Sequence, residues 1–149
     1  MKKLLIASAA LIFSVALSAQ EKFADHVKFK VEEHDFGKIK QGVPVTYDFA
    51  LNNIGKTPVV VESATASCGC TTPVKPEQPI LAGEVSKITA GFNAAAPGSF
   101  TKPITIKIAG VDETKTIFIK GEVLTAEEYD AYVKSKAKTK DTKESKPNN

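Results

Sequence analysis

Val45-Thr46-Tyr47-Asp48-Phe49-Ala50-Leu51 is the stretch whose reading decides the fold. Val45, Tyr47, Phe49 and Leu51 fall on one side of an extended chain, opposite Thr46, Asp48 and Asn52. A period of two with one apolar face is the pattern of a strand half-buried against a core. Gly42 and Pro44 precede the run, and Asn53 and Gly55 mark a turn after it. Upstream, Val27, Phe29 and Val31 alternate with Lys28, Lys30 and Glu32. Downstream, Val59 to Val61 begin a β-branched run, and Val85–Phe92, Ile104–Ile108 and Thr116–Val123 predict further strands. Ala82-Gly83, Pro97-Gly98 and Ala109-Gly110 supply turns between them. Six or seven short strands in about a hundred residues predict an all-β, two-sheet sandwich over residues 20–124.

One helix is expected to close the domain, over 125–134. Thr125 can cap it, with Glu128 three residues on completing a capping box. Leu124 and Tyr129 occupy the staple positions around that cap, and Tyr129, Tyr132 and Val133 form a narrow apolar stripe for docking on the sandwich.

The 149-residue chain carries a formal charge of +3, with twenty lysines and no arginine. Without arginine, bidentate recognition of phosphate or carboxylate is disfavoured. The basicity also lies at the ends. Lys2 and Lys3 precede an apolar run from Leu4 to Leu17, and Ala16, Ser18 and Ala19 are small, the pattern of a signal peptide over 1–19. The run is short for a spanning helix, and it does not end in a cysteine. The expectation is therefore an exported chain, periplasmic or extracellular, with no transmembrane anchor once the signal is removed. At the other end, Lys134 to Asn149 holds six lysines against two acids and no strong hydrophobe, so 135–149 is expected to be a disordered, lysine-rich tail. Between the ends, twelve lysines face fifteen acids and leave the body at −3. A nucleic-acid-binding core is excluded on that balance.

The constellation with chemical potential is Cys68-Gly69-Cys70. In an extended segment, side chains two apart point to the same side, so both sulfurs can face one point. Three readings stay open. The pair can form an internal disulfide in an oxidising compartment, although fully extended residues two apart sit near the upper limit of bridgeable separation. The two thiolates can clamp a soft ion such as Cu(I); closed tetrahedral zinc needs two more ligands, and nothing places His26 or His34 nearby. Or the segment is a tight structural turn at the sandwich edge. No other cofactor is implied, and no catalytic set stands out. His34-Asp35 is half a triad without a serine elbow, and Glu32-Glu33 and Glu127-Glu128 read as solvated charge.

The chain resembles the exported bacterial proteins of the domain-of-unknown-function family DUF1573. Ser67-Cys68-Gly69-Cys70-Thr71 is the most specific match. His34 to Ile39, Val45 to Phe49, Asn53-Ile54-Gly55, Pro79 to Glu84, Gly91-Phe92-Asn93, Gly98 to Lys102 and Ile119 to Val123 continue it. Ala82 stands where a proline is expected before Gly83. The resemblance covers about ninety residues and implies an immunoglobulin-like β-sandwich, similar to the sperm-protein and Hydin-like domains of binding and assembly. It implies no established activity. The expected role is a non-enzymatic module that binds an unknown protein or cell-envelope component, the alternative being a copper-binding or disulfide-exchange thiol site.

Overall fold

The structure, a computed structural model, describes residues 21–144, with side-chain surroundings up to Ala137. The signal peptide expected at 1–19 lies outside the described residues. The elements run α1 (Phe23–His26), β1 (Val27–Phe29), β2 (Glu33–Lys40), β3 (Val45–Asn53), β4 (Val61–Ala66), β5 (Thr71–Val74), β6 (Val85–Phe92), β7 (Gly98–Ile108), β8 (Lys115–Leu124) and α2 (Ala126–Glu144). Two four-stranded sheets face each other, in the orders β1-β3-β6-β5 and β2-β8-β7-β4. Every pairing is antiparallel except β2 with β8.

The alternation on β3 does what its sequence requires. Phe49 and Leu51 are fully buried, while Thr46 and Asp48 are exposed. From the same sheet Ile88 and Ala90 join them, and from the other come Ile104, Ile106, Ile117 and Ile119, each 0% exposed. β-branched isoleucines suit this position because their restricted side chains pack well on a pleated surface. The outer face of the second sheet is solvated by cross-strand ion pairs: Glu62 with Lys107, Glu122 with Lys38 and Glu33 with Lys120.

Eight strands form where about seven are expected, because alternation does not reveal β2 or β5. In β2 the register against β8 slips between Asp35 and Lys38, so Phe36 and Gly37 oppose the single residue Gly121. Gly37 takes a φ of 65°, with its N–H held by Asp35 Oδ1 at 2.7 Å. The bulge exchanges the inward and outward sides along the strand. β5 is four residues long and contains Pro73, which an edge strand tolerates. The expected strand at 27–31 ends at Phe29, leaving Val31 38% exposed.

The C-terminal helix is longer than expected. It extends from Ala126 to Glu144, so residues 135–144, expected within a disordered tail, are helical. Lys and Ala are strong helix formers, and that propensity carries the helix on where there is no strong hydrophobe to bury. The cap is as expected: Thr125 N donates to Glu128 Oε2 at 2.9 Å, and Glu128 N donates to Thr125 Oγ1 at 3.4 Å. Two residues of the expected stripe, Tyr129 and Tyr132, face the sandwich half-buried, each beneath a lysine of β2. Lys38 lies 5.2 Å from the Tyr132 ring centre, and Lys40 lies 6.0 Å from that of Tyr129 while pairing with Asp130. Val133 stays 47% exposed.

Candidate functional site

Cys68 and Cys70 lie in the corner where the chain leaves the edge of one sheet, at β4, and joins the edge of the other, at β5. The segment is a turn, not an extended run: Thr71 N donates to Cys68 O at 3.3 Å. That turn brings the two Cα atoms to 5.4 Å, and the sulfurs are joined in a disulfide. The difficulty anticipated for extended residues two apart is removed by this local bend. Both cysteines are half-buried, Gly69 between them is exposed, and Cys70 packs against the core. The buried Thr71 places its hydroxyl 3.9 Å from Cys68 Sγ and 4.0 Å from Cys70 Sγ. A two-thiolate Cu(I) clamp requires the reduced form of this pair. Among the described residues, no group of three or more His, Cys, Asp or Glu side chains converges to hold a metal.

The corner shares its end of the sandwich with two other loops. Val45 pairs with Phe92 and Phe92 with Thr71, so residues 41–44, 67–70 and 93–97 meet at one end. Hydrogen bonds fasten them together. Asn93 N donates to Cys70 O at 3.1 Å, Gly42 N to Ala94 O at 2.9 Å, and Gln41 Nε2 to Ala95 O at 3.0 Å. Gln41 N reaches Leu124 O at 2.8 Å, tying in the approach to α2. Ala94, fully buried, holds a φ of 50° there, a conformation costly for a residue with a Cβ.

These loops read Gln-Gly-Val-Pro, Ser-Cys-Gly-Cys and Asn-Ala-Ala-Ala-Pro, with no charged residue in a chain that is 25% charged. Val43, Pro44, Ala95, Ala96 and Pro97 are exposed. The first turn of α2, which adjoins these loops, carries Glu127 and Glu128, and the loops of the opposite end carry Lys56, Glu84, Asp112 and Glu113. The cysteine loop is conspicuous in the sequence and the other two are not; only the topology joins the three.

The remaining expected residues have structural duties. His34 points into the gap between the sheets and stacks on Tyr47, while Asp35 holds the Gly37 bulge, so the two do not form a catalytic pair. Burial lowers the His34 pKa, against a smaller rise from neighbouring Asp35. His26 pairs with Glu21 through Nε2 at 3.1 Å, remote in the fold from the cysteine corner. Glu32 and Glu33 pair with Lys115 and Lys120. Among the described residues, no helix is long and apolar enough to cross a membrane.

Several solved structures share this architecture. A protein of unknown function from Porphyromonas gingivalis W83 superposes with a TM-score of 0.57 at 18% identity over 65% of this chain. This chain covers 46% of that one, under half its length. The ASH / PapD-like domain of human CEP192 gives a TM-score of 0.57 at 12% identity, over 82% of this chain and 99% of that domain. The VesB protease of Vibrio cholerae gives 0.53 at 13% identity, over 66% of this chain and 32% of that one. At these identities the likeness is one of fold, an immunoglobulin-like or PapD-like β-sandwich. No curated protein matches the chain. The model of the proteins of unknown function DUF1573 matches residues 27–123, from the first strand to the last, and the chain belongs to that family.

Proposed function

We propose that the chain is an exported, non-enzymatic binding module that holds a protein partner against the uncharged loop end of its sandwich. The single observation carrying this reading is that end itself: three adjoining loops, free of charge, exposing Val43, Pro44, Ala95, Ala96 and Pro97, and held in place by backbone hydrogen bonds. Depletion of charge marks the centres of protein interfaces. A surface already fixed loses less conformational freedom on binding. The strained Ala94 backbone at its centre is a further support, since such conformations gather at functional sites. Export, to the periplasm or the cell exterior, is supported by the basic and apolar opening of the chain.

Chemical cross-linking in cells that produce the chain tests the reading. The wild type should give a discrete higher-mass adduct that is lost on combining Val43→Lys with Ala96→Lys. The adduct should persist with Lys107→Ala on the outer face of the second sheet. An adduct that survives the loop-end substitutions, or none from the wild type, overturns the assignment.

A further inference from the structure

We propose that Cys68 and Cys70 form a reversible disulfide–dithiol pair that oxidises a dithiol on the docked partner. The choice of partner rests on the docking reading above; the exchange chemistry rests on the corner alone.

The placement of the bond distinguishes it from a brace. It closes a loop with only Gly69 between the cysteines, and so short a loop restricts the unfolded chain little. The elements on either side are held without it. Ala66 pairs with Ile104 across β4 and β7, Thr71 pairs with Phe92 across β5 and β6, and Cys70 O accepts from Asn93 N. All of these contacts are backbone pairings in which neither sulfur takes part.

Access is open on one side. Nothing lies within 4 Å of the point where a Cβ on Gly69 would sit, and Ser67 and Gly69 are exposed. The two sulfurs differ in setting, since Cys70 packs against the core and Cys68 stands outside that cluster. Cys68 Sγ is therefore the sulfur attacked. A thiolate of the partner bonds to it, the S–S bond breaks, and its electron pair leaves on Cys70 Sγ. Thr71 Oγ1, within 4.0 Å of both sulfurs, is placed to donate a hydrogen bond to whichever gains charge. The partner's second thiolate then attacks the partner's own sulfur in the mixed disulfide and expels Cys68 as a thiolate. In balance, the partner's two thiols become a disulfide and this chain's disulfide becomes two thiols. Two electrons and two protons pass to the chain.

Glutathione buffers of graded reduced-to-oxidised ratio test the pair, with acid quenching, alkylation and mass measurement of the intact oxidised protein. Both redox forms should be populated across the series, with the β-sheet circular dichroism unchanged between them. A pair that stays oxidised at every ratio is a structural bond resistant to the glutathione pool, and this overturns the proposal. Unfolding on reduction overturns it equally. For the order of attack, Cys68 in the Cys70→Ser variant should form a mixed disulfide with oxidised glutathione about tenfold faster than Cys70 in the Cys68→Ser variant. Equal rates remove the assignment of Cys68. Lys107→Ala, on the outer face of the second sheet, should leave glutathione exchange unchanged. Exchange without any loop-end adduct overturns the docked partner alone; adducts without exchange overturn the redox pair alone.

Discussion

His34 lies flat on Tyr47, with ring centroids 3.5 Å apart and planes 7° from parallel, joining the edge strand of one sheet to an inner strand of the other. Phe36 meets the same imidazole edge-on at 4.6 Å. The ring serves as a packing group in an aromatic cluster, and its burial disfavours the charged form.

A dependence on pH follows from that burial. With the native pKa below the ordinary value of 6.5, the unfolded chain binds the proton first as pH falls. The stabilisation is complete above about 6.5 and is lost as pH drops from there through the lowered native value. Urea midpoints at about pH 7.5 and about pH 5 should therefore fall more for wild type than for His34→Phe, which keeps a stacking ring but does not titrate. Asp48, held below its usual range by hydrogen bonds from Lys87 and Thr89, and Glu128, held below by Thr125, act at lower pH and are common to both proteins. Identical pH dependence in the two proteins would contradict the role given to His34.

Asn53 is the polar centre of the charged end of the sandwich. Fully buried, it donates through Nδ2 to Thr57 O and Ile80 O, both at 2.8 Å, and accepts from Gly55 N at 2.9 Å. Asn53→Ala removes three hydrogen bonds and leaves Thr57 O without its amide donor, while Ile80 O keeps Val59 N and Gly55 N keeps His26 O. It should cost about 3 kcal/mol in denaturant unfolding, since each lost hydrogen bond contributes about 1 kcal/mol. A loss below about 0.5 kcal/mol would show that water replaces the amide.

Gly121 and Gly37 make a close approach where β2 bulges over β8. A Cβ on Gly121 would lie 2.8 Å from Gly37 O and 3.0 Å from two Phe100 ring carbons. Gly121→Ala should destabilise by about 1–3 kcal/mol through overpacking. Gly37→Ala meets no atom within 4 Å and should cost about 1 kcal/mol, from its φ of 65° alone. The reverse order in thermal melts would refute the close contact.

Reduction of Cys68–Cys70 should cost no more than a loop this short can contribute. For a closed loop of three residues, the chain-entropy relation gives at most about 1.6 kcal/mol. Guanidinium unfolding with and without reductant measures this difference directly. A loss of about 4 kcal/mol or more would make the bond a structural brace.

The sequence made the sandwich legible wherever a strand keeps one face throughout, as β3 and β6 do from Val45 to Leu51 and from Val85 to Phe92. It hid β2 because the Phe36-Gly37 bulge exchanges the faces midway, and β5 because four residues carrying Pro73 show no period. Residues 135–144 are helical for another reason: backbone propensity acts without burial, so a segment with no strong hydrophobe can still be helical. Of the candidate site, the cysteine pair was visible as a motif, and both an internal disulfide and a tight turn at the sandwich edge were among its open readings; the structure combines the two. The uncharged end was present as three charge-free loops whose meeting depends on the β3–β6–β5 pairing.

The most direct measurement is photo-cross-linking from a single reactive residue placed at Ala96, on the uncharged end, or at Phe118, on the outer face of the second sheet. Docking at the loop end requires a discrete protein adduct from position 96 in cells and none from position 118. Adducts of equal yield from both positions, or from 118 alone, would contradict it.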